Sequence, residues 1–294
     1  MTKVVTHGGK YHTDDVFAVA TLSLVYDDLE ILRVKRKENI PEADFVVDIG
    51  QVYDEECKFD HHQKGGAGER EDGIPYASFG LVWKRFGIEL CGLAEVSSLV
   101  DRKLVQPIDA SDVGFSYFES NKGLYPYLIQ DVISSFRPTW SEGDDFDGSF
   151  SKAVDFAKNI LSREIKMAKD FFSAKGDLTR AYETSLIKEI ITLDKDVPYG
   201  REIINTTLSE HKEPIYAIYY KKDEHSWRLL AISKNPGNII QRKPLPEEWR
   251  GKSSEEMKEI TGLSNIKFVH NSGFLLIAES RDSVTELAKR ALQS

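Results

Sequence analysis

The sequence predicts an α/β protein: a first domain on a mostly parallel sheet flanked by helices, then a smaller second α/β domain. Three observations predict it. Early in the chain, short apolar runs that stop at Gly or Asp alternate with helical segments, the rhythm of parallel strands joined by crossovers. Near residue 190 the texture changes to short strands in quick succession. And 294 residues, 40% of them hydrophobic and 11% aromatic, are enough to fill two cores.

Lys3–Thr6 reads as a buried strand ending in a His-Gly-Gly turn. Asp14 or Asp15 opens VFAVATLSLVY, which is apolar on almost every side and therefore a buried helix. Leu29–Arg33 and Phe45–Asp48 are the next strands, and Lys58–Asp60 a fourth. Residues 63–76, QKGGAGEREDGIPY, form a Gly-rich loop. Helical spacing returns at Ala77–Phe86, Leu93–Val105 and Leu124–Ser135, while Ile108–Gly114 reads as a strand end or loop. Phe150–Ala174 is a long amphipathic helix with Gly176 as its stop. These segments place a first domain at 1–190, with a helical linker over about 123–190, and a second at 191–294. The second contains strands at Ile190–Leu193, Ile203–Asn205, Ile215–Tyr220 and Trp227–Ile232. A Pro-rich connection, NPGNIIQRKPLPEEW, leads to a helix at Ser254–Thr261. Strands near Phe268–His270 and Phe274–Ala278 follow, then a helix at Asp282–Leu292.

Composition narrows the function. Forty-eight acids against 39 bases give a net charge of −9, which argues against a protein that coats DNA non-specifically. Two cysteines build no disulfide framework and suggest a reducing cytoplasm. No apolar run is long enough to span a membrane, and the N-terminus does not read as a secretory signal. The charge is also uneven. Residues 1–62 carry thirteen acids against seven bases, whereas 191–294 carry fifteen against sixteen. Four of the seven histidines, His7, His12, His61 and His62, lie in that acidic first stretch.

Four acid- or histidine-bearing segments follow predicted strands: His7-Gly-Gly-Lys-Tyr-His12-Thr-Asp14-Asp15, Asp48, Asp60-His61-His62, and Asp109-Ala-Ser-Asp112. Singly, each is ordinary turn or cap chemistry. Jointly they stand where open parallel sheets bind ligands, outside the carboxyl ends of the strands. Imidazole plus carboxylate without a thiolate pair suits Mn²⁺, Zn²⁺ or Fe²⁺ better than Ca²⁺. There are enough ligands for two metals sharing one carboxylate. Two metals about 3.5–4 Å apart can clamp an in-line phosphoryl displacement.

Asp60-His61-His62 is the signature of the DHH phosphoesterase superfamily, which includes RecJ-type exonucleases, oligoribonucleases and family II pyrophosphatases. More closely, THGGKYHTDDVFAVATL, ADFVVDIG, FDHHQKG, ASFGLVW, PIDASDVG, LPEEWRG and FVHNSGF resemble the Myg family, described as metal-dependent RNA exonucleases. The resemblance runs from residue 6 to residue 274. It implies a DHH-type first domain holding two divalent metals, Mn²⁺ foremost, with Zn²⁺, Fe²⁺ or Mg²⁺ as alternatives. His7, His12 and Asp14 would be ligands of the first motif, His12 standing where relatives outside the Myg family often have Asp. Asp48 would bridge, His61 would bind the second metal, Asp60 would orient its neighbours and His62 would reach the substrate phosphate. The fourth motif would complete the first metal through Asp109, with Asp112 the competing choice. Asp15 would cap the helix just outside the ligand set.

The second domain would bind the rest of the substrate through Arg242, Arg250, His270, Ser272 and Gly273. There the chain departs from its relatives, which follow SGF with a Gly pair where this one runs Phe274–Ile277. An ordinary turn after a strand-end histidine is the other reading of that loop. The strand aromatics Tyr216, Tyr219, Tyr220 and Trp227 read as core. The implied partner is RNA or a short oligonucleotide, or else a small phosphate compound such as a nucleotide or pyrophosphate. A catalytically silent metal-binding protein is the non-enzymatic alternative. A homo-oligomer is compatible with the sequence.

Overall fold

The structure, a computed structural model, describes all residues except 36–39, 116–121, 197–199 and 236–238; for 194–196 it describes the backbone alone. Part of the Pro-rich connection, residues 236–238, lies outside the described residues.

Four strands form the first sheet: β1 (Thr2–His7), β2 (Leu29–Val34), β3 (Phe45–Val47) and β4 (Lys58–Phe59), in the order β2-β1-β3-β4. Every pairing is parallel, with Val4 opposite Ile31 on one side and Phe45 on the other, and Val46 opposite Lys58. The parallel register brings His7, Asp48 and Asp60 out at the same sheet edge. The chain turns outward from β1 to β2 and then crosses back to β3. The order therefore reverses between β1 and β3, and a doubly wound sheet opens its binding crevice at such a reversal.

Helix α1 (Thr13–Val25) is buried throughout Thr13–Leu22, as its all-round apolarity predicts. It packs against α2 (Ser78–Cys91), where the rings of Phe17 and Phe79 lie 5.3 Å apart. The segment after α2 is helical further than the sequence suggests. A helix α3 (Ala94–Val100), a π-helical turn (Asp101–Val105) and α4 (Gln106–Asp112) follow without a break. The expected strand end at Ile108–Gly114 is thus mostly the last helical turn. Pro107 explains the π turn: it donates no backbone hydrogen bond, and its ring clashes with the carbonyl four residues back. Helix α5 (Ile129–Ser134) is shorter than predicted.

Helix α6 (Phe146–Thr184) is longer than predicted and runs straight through Gly176. That glycine is exposed and has no neighbour within 4 Å of a notional Cβ. Its cost of about 1 kcal/mol is outweighed by burial of Ala174 and Leu178 on either side. The chain divides inside this helix, into Met1–Lys169 and Asp170–Ser294, earlier than the residue-190 boundary read from the sequence. The last turns of α6 belong with the second unit because Ala174 and Leu178 pack on Ile191, Leu193 and Ile203.

The second unit holds a mixed sheet of β5 (Ile190–Asp196), β6 (Tyr216–Lys221), β7 (Ser226–Ala231), β8 (Ile266–Val269) and β9 (Leu275–Ala278), ordered β5-β6-β7-β9-β8. Only the β5–β6 pair is parallel. Both faces are covered, and β6 shows the period of two. Tyr216 and Ile218 face α8 (Ser254–Thr261) and α9 (Arg281–Gln293), while Ala217 and Tyr219 face α6 and α7 (Arg201–Leu208). Tyr216 and Tyr219 are core, as read from the sequence. Ile203–Asn205, expected as a strand, lies in α7. Its β-branched residues suggest a strand, but Ile203, Ile204 and Leu208 recur at helical spacing and bury one face.

Candidate metal centre

Each strand end is fixed before it presents a ligand. After β1, Gly8 sits so close to β2 that a Cβ would lie 3.2 Å from Val34 and Lys35. Arg33 ties the same loop down, donating to the Gly9 carbonyl at 2.9 Å and to Asp147 at 2.8 Å. Asp15 caps α1 by accepting the His12 N–H at 3.0 Å, the role read for it. At the end of β3, Asp48 takes a left-handed backbone with φ +55°, a conformation that Asp tolerates better than most residues. After β4, Asp60 accepts the His62 and Gln51 N–H groups at 2.9 and 2.6 Å and His62 Nδ1 at 2.9 Å. Both of its oxygens accept hydrogen bonds from these neighbours.

Around Asp48 the predicted residues converge. His7 Nε2 lies 3.3 Å from one Asp48 oxygen, while His61 Nδ1 and His62 Nδ1 lie 3.5 and 3.4 Å from the other. His61 Nε2 is 3.1 Å from Asp112, and His12 Nδ1 is 3.7 Å from the same carboxylate. Three groups each bring one ligand atom per residue within 4.8 Å of the others: Asp48, Asp60, His61 and His62; His7, His12 and Asp48; His12, Asp14 and Asp112. Asp48 and His12 each belong to two of them. The rings of His61 and His62 stack at 4.2 Å.

Asp109, the preferred ligand of the fourth motif, points elsewhere. It is fully buried, accepting the Gly80 N–H at 2.9 Å and an Arg70 N–H at 2.8 Å. Asp112, one turn on, is the carboxylate that faces His12 and His61. The sequence-based preference between the two is therefore reversed.

The electrostatics suit a cation. Asp14 is wholly buried, and burial together with the like charges of Asp48 and Asp112 pushes its pKa well above the ordinary carboxylate value. Among the described residues no donor reaches its Oδ1, while Oδ2 accepts the Ser78 N–H at 3.2 Å. Burial would lower the His7 pKa, but Asp15 and Asp48 hold it up at about 10. Burial likewise opposes ionisation of Asp60 and Asp112, yet His62 with backbone N–H groups, and His61, respectively, keep both below their usual value. The Asp60 hydrogen bond raises His62. A buried carboxylate oxygen without a donor, beside two further acids and four imidazoles, fits a divalent metal in both charge and donor type.

Two contributors went unnoticed in the sequence. Ser78 is buried at the start of α2. Its hydroxyl donates to Asp48 at 2.9 Å and lies 3.2 Å from His61 Nδ1, while its N–H serves Asp14. Arg70, the lone arginine of the Gly-rich loop, is buried between Asp101 and Asp109. The signal for Ser78 was its place at the predicted helix start, directly after that loop.

The second unit's candidates form ordinary structure in part. Arg242 donates to the carbonyls of Ser209, Lys212 and Pro214 and stitches two loops together. Gly273 is buried with φ +71°, and its missing Cβ makes room for Arg250 Nε, 2.7 Å from where a Cβ would stand. It therefore accommodates an arginine rather than cradling a ligand. His270 Nδ1 lies 2.9 Å from Ser272 Oγ and accepts the Ser272 N–H, closing its own turn. Arg250 and His270 are half-buried and Ser272 is exposed.

A family model for the MYG1 exonucleases, described as uncharacterised protein family UPF0160, matches residues 3–292. The chain is 29% identical over 320 residues to the MYG1 protein of Schizosaccharomyces pombe, covering 99% of this chain and 98% of that one. It is 27% identical over 325 residues to the MYG1 exonuclease of Homo sapiens, covering 99% and 85%. Among solved structures it is similar to Thermus thermophilus RecJ in complex with Mn²⁺, at 13% identity and a TM-score of 0.32. It spans 99% of its own length but only about half, 52%, of that RecJ chain.

Proposed function

The chain belongs to the MYG1 exonuclease family (uncharacterised protein family UPF0160), and from that premise we propose that it is a metal-dependent phosphodiesterase removing nucleotides from an end of RNA or a short oligonucleotide. One observation carries the reading: His7, His12, Asp14, Asp48, His61 and Asp112 fall in overlapping clusters of potential metal ligands, and among the described residues no donor reaches the buried Asp14 Oδ1.

Those six residues would hold the divalent metal, with Mn²⁺ the first choice and two ions the number the resemblance implies. When bound, the metals would supply positive charge against the phosphoryl oxygens and acidify water for in-line attack. Ser78 orients Asp48 and His61, and Asp60 fixes the ring of His62 through Nδ1. His62, half-exposed and with its pKa raised by the Asp60 hydrogen bond, would offer Nε2 to a phosphoryl oxygen as negative charge builds there. In the second unit, Arg250, His270 and Ser272 are carried forward as substrate contacts; Arg242 and Gly273 are not, because both are committed to the fold.

The test is incubation of the purified protein with Mn²⁺ and RNA labelled at either end, alongside pyrophosphate and a chromogenic phosphodiester. The reading expects stepwise mononucleotide release that EDTA stops. Turnover of pyrophosphate alone would replace it with a small-molecule phosphohydrolase. No turnover of any substrate would leave a metal-binding protein without catalysis.

A further inference from the structure

Two unlike cavities flank the metal centre. One, of about 600 Å³, lies under the Gly-rich loop, bounded by Gly66, Pro75, Tyr76 and Val113. No lysine or arginine lines it among the described residues. The other, of about 280 Å³, is bounded by Ser111, Ser134 and Arg137. His12 and Asp112 are walls of both. A molecule occupying the two would therefore cross the metal centre between them.

The smaller cavity has an unspent cation. Arg137 follows α5 and is held in place by donating to the Tyr11 carbonyl, with its guanidinium 5.4 Å from the Tyr11 ring. Its Nε is buried and, among the described residues, has no hydrogen-bond partner. The other arginines of this region are neutralised, Arg33 by Asp147 and Arg70 by Asp101 and Asp109. Among the described residues no carboxylate pairs with Arg137. A fixed guanidinium facing a cavity beside two serine hydroxyls suits a phosphate group. Asp112, the acid on the shared wall, is one that bound metal would neutralise. The larger cavity offers no such cation. Its size and its mixture of ring, proline and glycine surface suit a nucleoside.

We infer that the Arg137 cavity is a second phosphate subsite, gripping a non-reacting phosphate next to the cleaved linkage while the larger cavity takes the terminal nucleoside. The inference rests on the phosphodiesterase reading and narrows its substrate to chains with at least two phosphates.

The comparison that tests it is kcat/KM for the dinucleotide ApA, with one phosphate, against the trinucleotide ApApA, with two. Wild type should favour ApApA by about tenfold or more, the worth of a charge-assisted hydrogen bond. Arg137→Gln should bring the ratio close to one, and Arg137→Lys should keep part of it. Circular dichroism confirms that each variant is folded, and Ser134→Ala, which leaves Arg137 in place, should lower the ratio modestly. Equal use of both substrates by wild type, or an undiminished preference in Arg137→Gln, overturns the subsite. If neither substrate is cleaved, the phosphodiesterase reading fails, and a separate measurement judges the subsite. Phosphorus-31 NMR of inorganic phosphate with the Mg²⁺-loaded full chain should show saturable broadening that Arg137→Gln clearly weakens; equal broadening in wild type and Arg137→Gln, or none in wild type, rules the subsite out.

Discussion

Two buried carboxylates dock on the first turn of α2, two residues apart, and they are treated in opposite ways. Asp109 accepts the Gly80 N–H and is matched by Arg70 from the same chain, itself shared with Asp101. Asp14 accepts the Ser78 N–H and is given two more acids, Asp48 and Asp112, for neighbours. Burial drives both pKa values up, Asp109 to about 7 even with Arg70 beside it. The helix N-terminus favours an anion in either place. Only Asp109 has its cation built in. A buried acid that is fully matched is architecture; one left unmatched among imidazoles is a place for a cation from outside.

Removing the cation from the matched pair should have the largest effect. Arg70→Ala leaves Asp109 buried and unpaired, and the denaturant midpoint should fall by the equivalent of about 3–5 kcal/mol. A loss under 1 kcal/mol would mean that Asp109 is neutral or hydrated and that the two sites are alike. Asp14→Asn should behave in the reverse manner. Metal-dependent phosphodiester hydrolysis should drop by on the order of 10²–10³ or more, while the metal-free protein melts no lower than wild type. Retention of full activity by Asp14→Asn would remove it from the ligand set.

The cation itself distinguishes the two places. Mn²⁺ at about a hundred times its dissociation constant should stabilise wild type by about 2.7 kcal/mol and Asp14→Asn by much less. Equal stabilisation of both, read by thermal melting, would put the metal elsewhere. The smallest effect belongs to Ser78→Ala, which keeps every ligand but loses the hydroxyl that orients Asp48 and His61. Mn²⁺ affinity measured by electron paramagnetic resonance should weaken roughly 10–100-fold. Unchanged affinity would make the Ser78 hydroxyl a packing feature only.

Much of this centre is legible in the sequence. His7, Asp48 and Asp60–His62 stand directly after apolar runs that stop, so their common edge follows from parallel pairing. Asp15 could be read as a cap from its place at a helix start. Helix α7 reads as a strand from sequence because Ile and Thr carry strand propensity, and burial of one face against β5 and β6 makes it a helix. The extent of α6 was misread because a glycine signals a stop unless packing on both sides of it continues the helix.

The sequence by itself determined the residue types of the centre, their order, and the strand ends that carry three of its four segments, because those depend on local apolar pattern. Tertiary structure pairs Asp109 with Arg70 and turns Asp112 toward His12 and His61. Three residues apart on a helix, the two point only about 60° apart around its axis, too little for periodicity to separate. The choice was made by Arg70, thirty-nine residues upstream of Asp109, which occupies one carboxylate and so leaves the other to the histidines. Long-range pairing of charges in the interior follows from where the chain passes, and no local pattern encodes it.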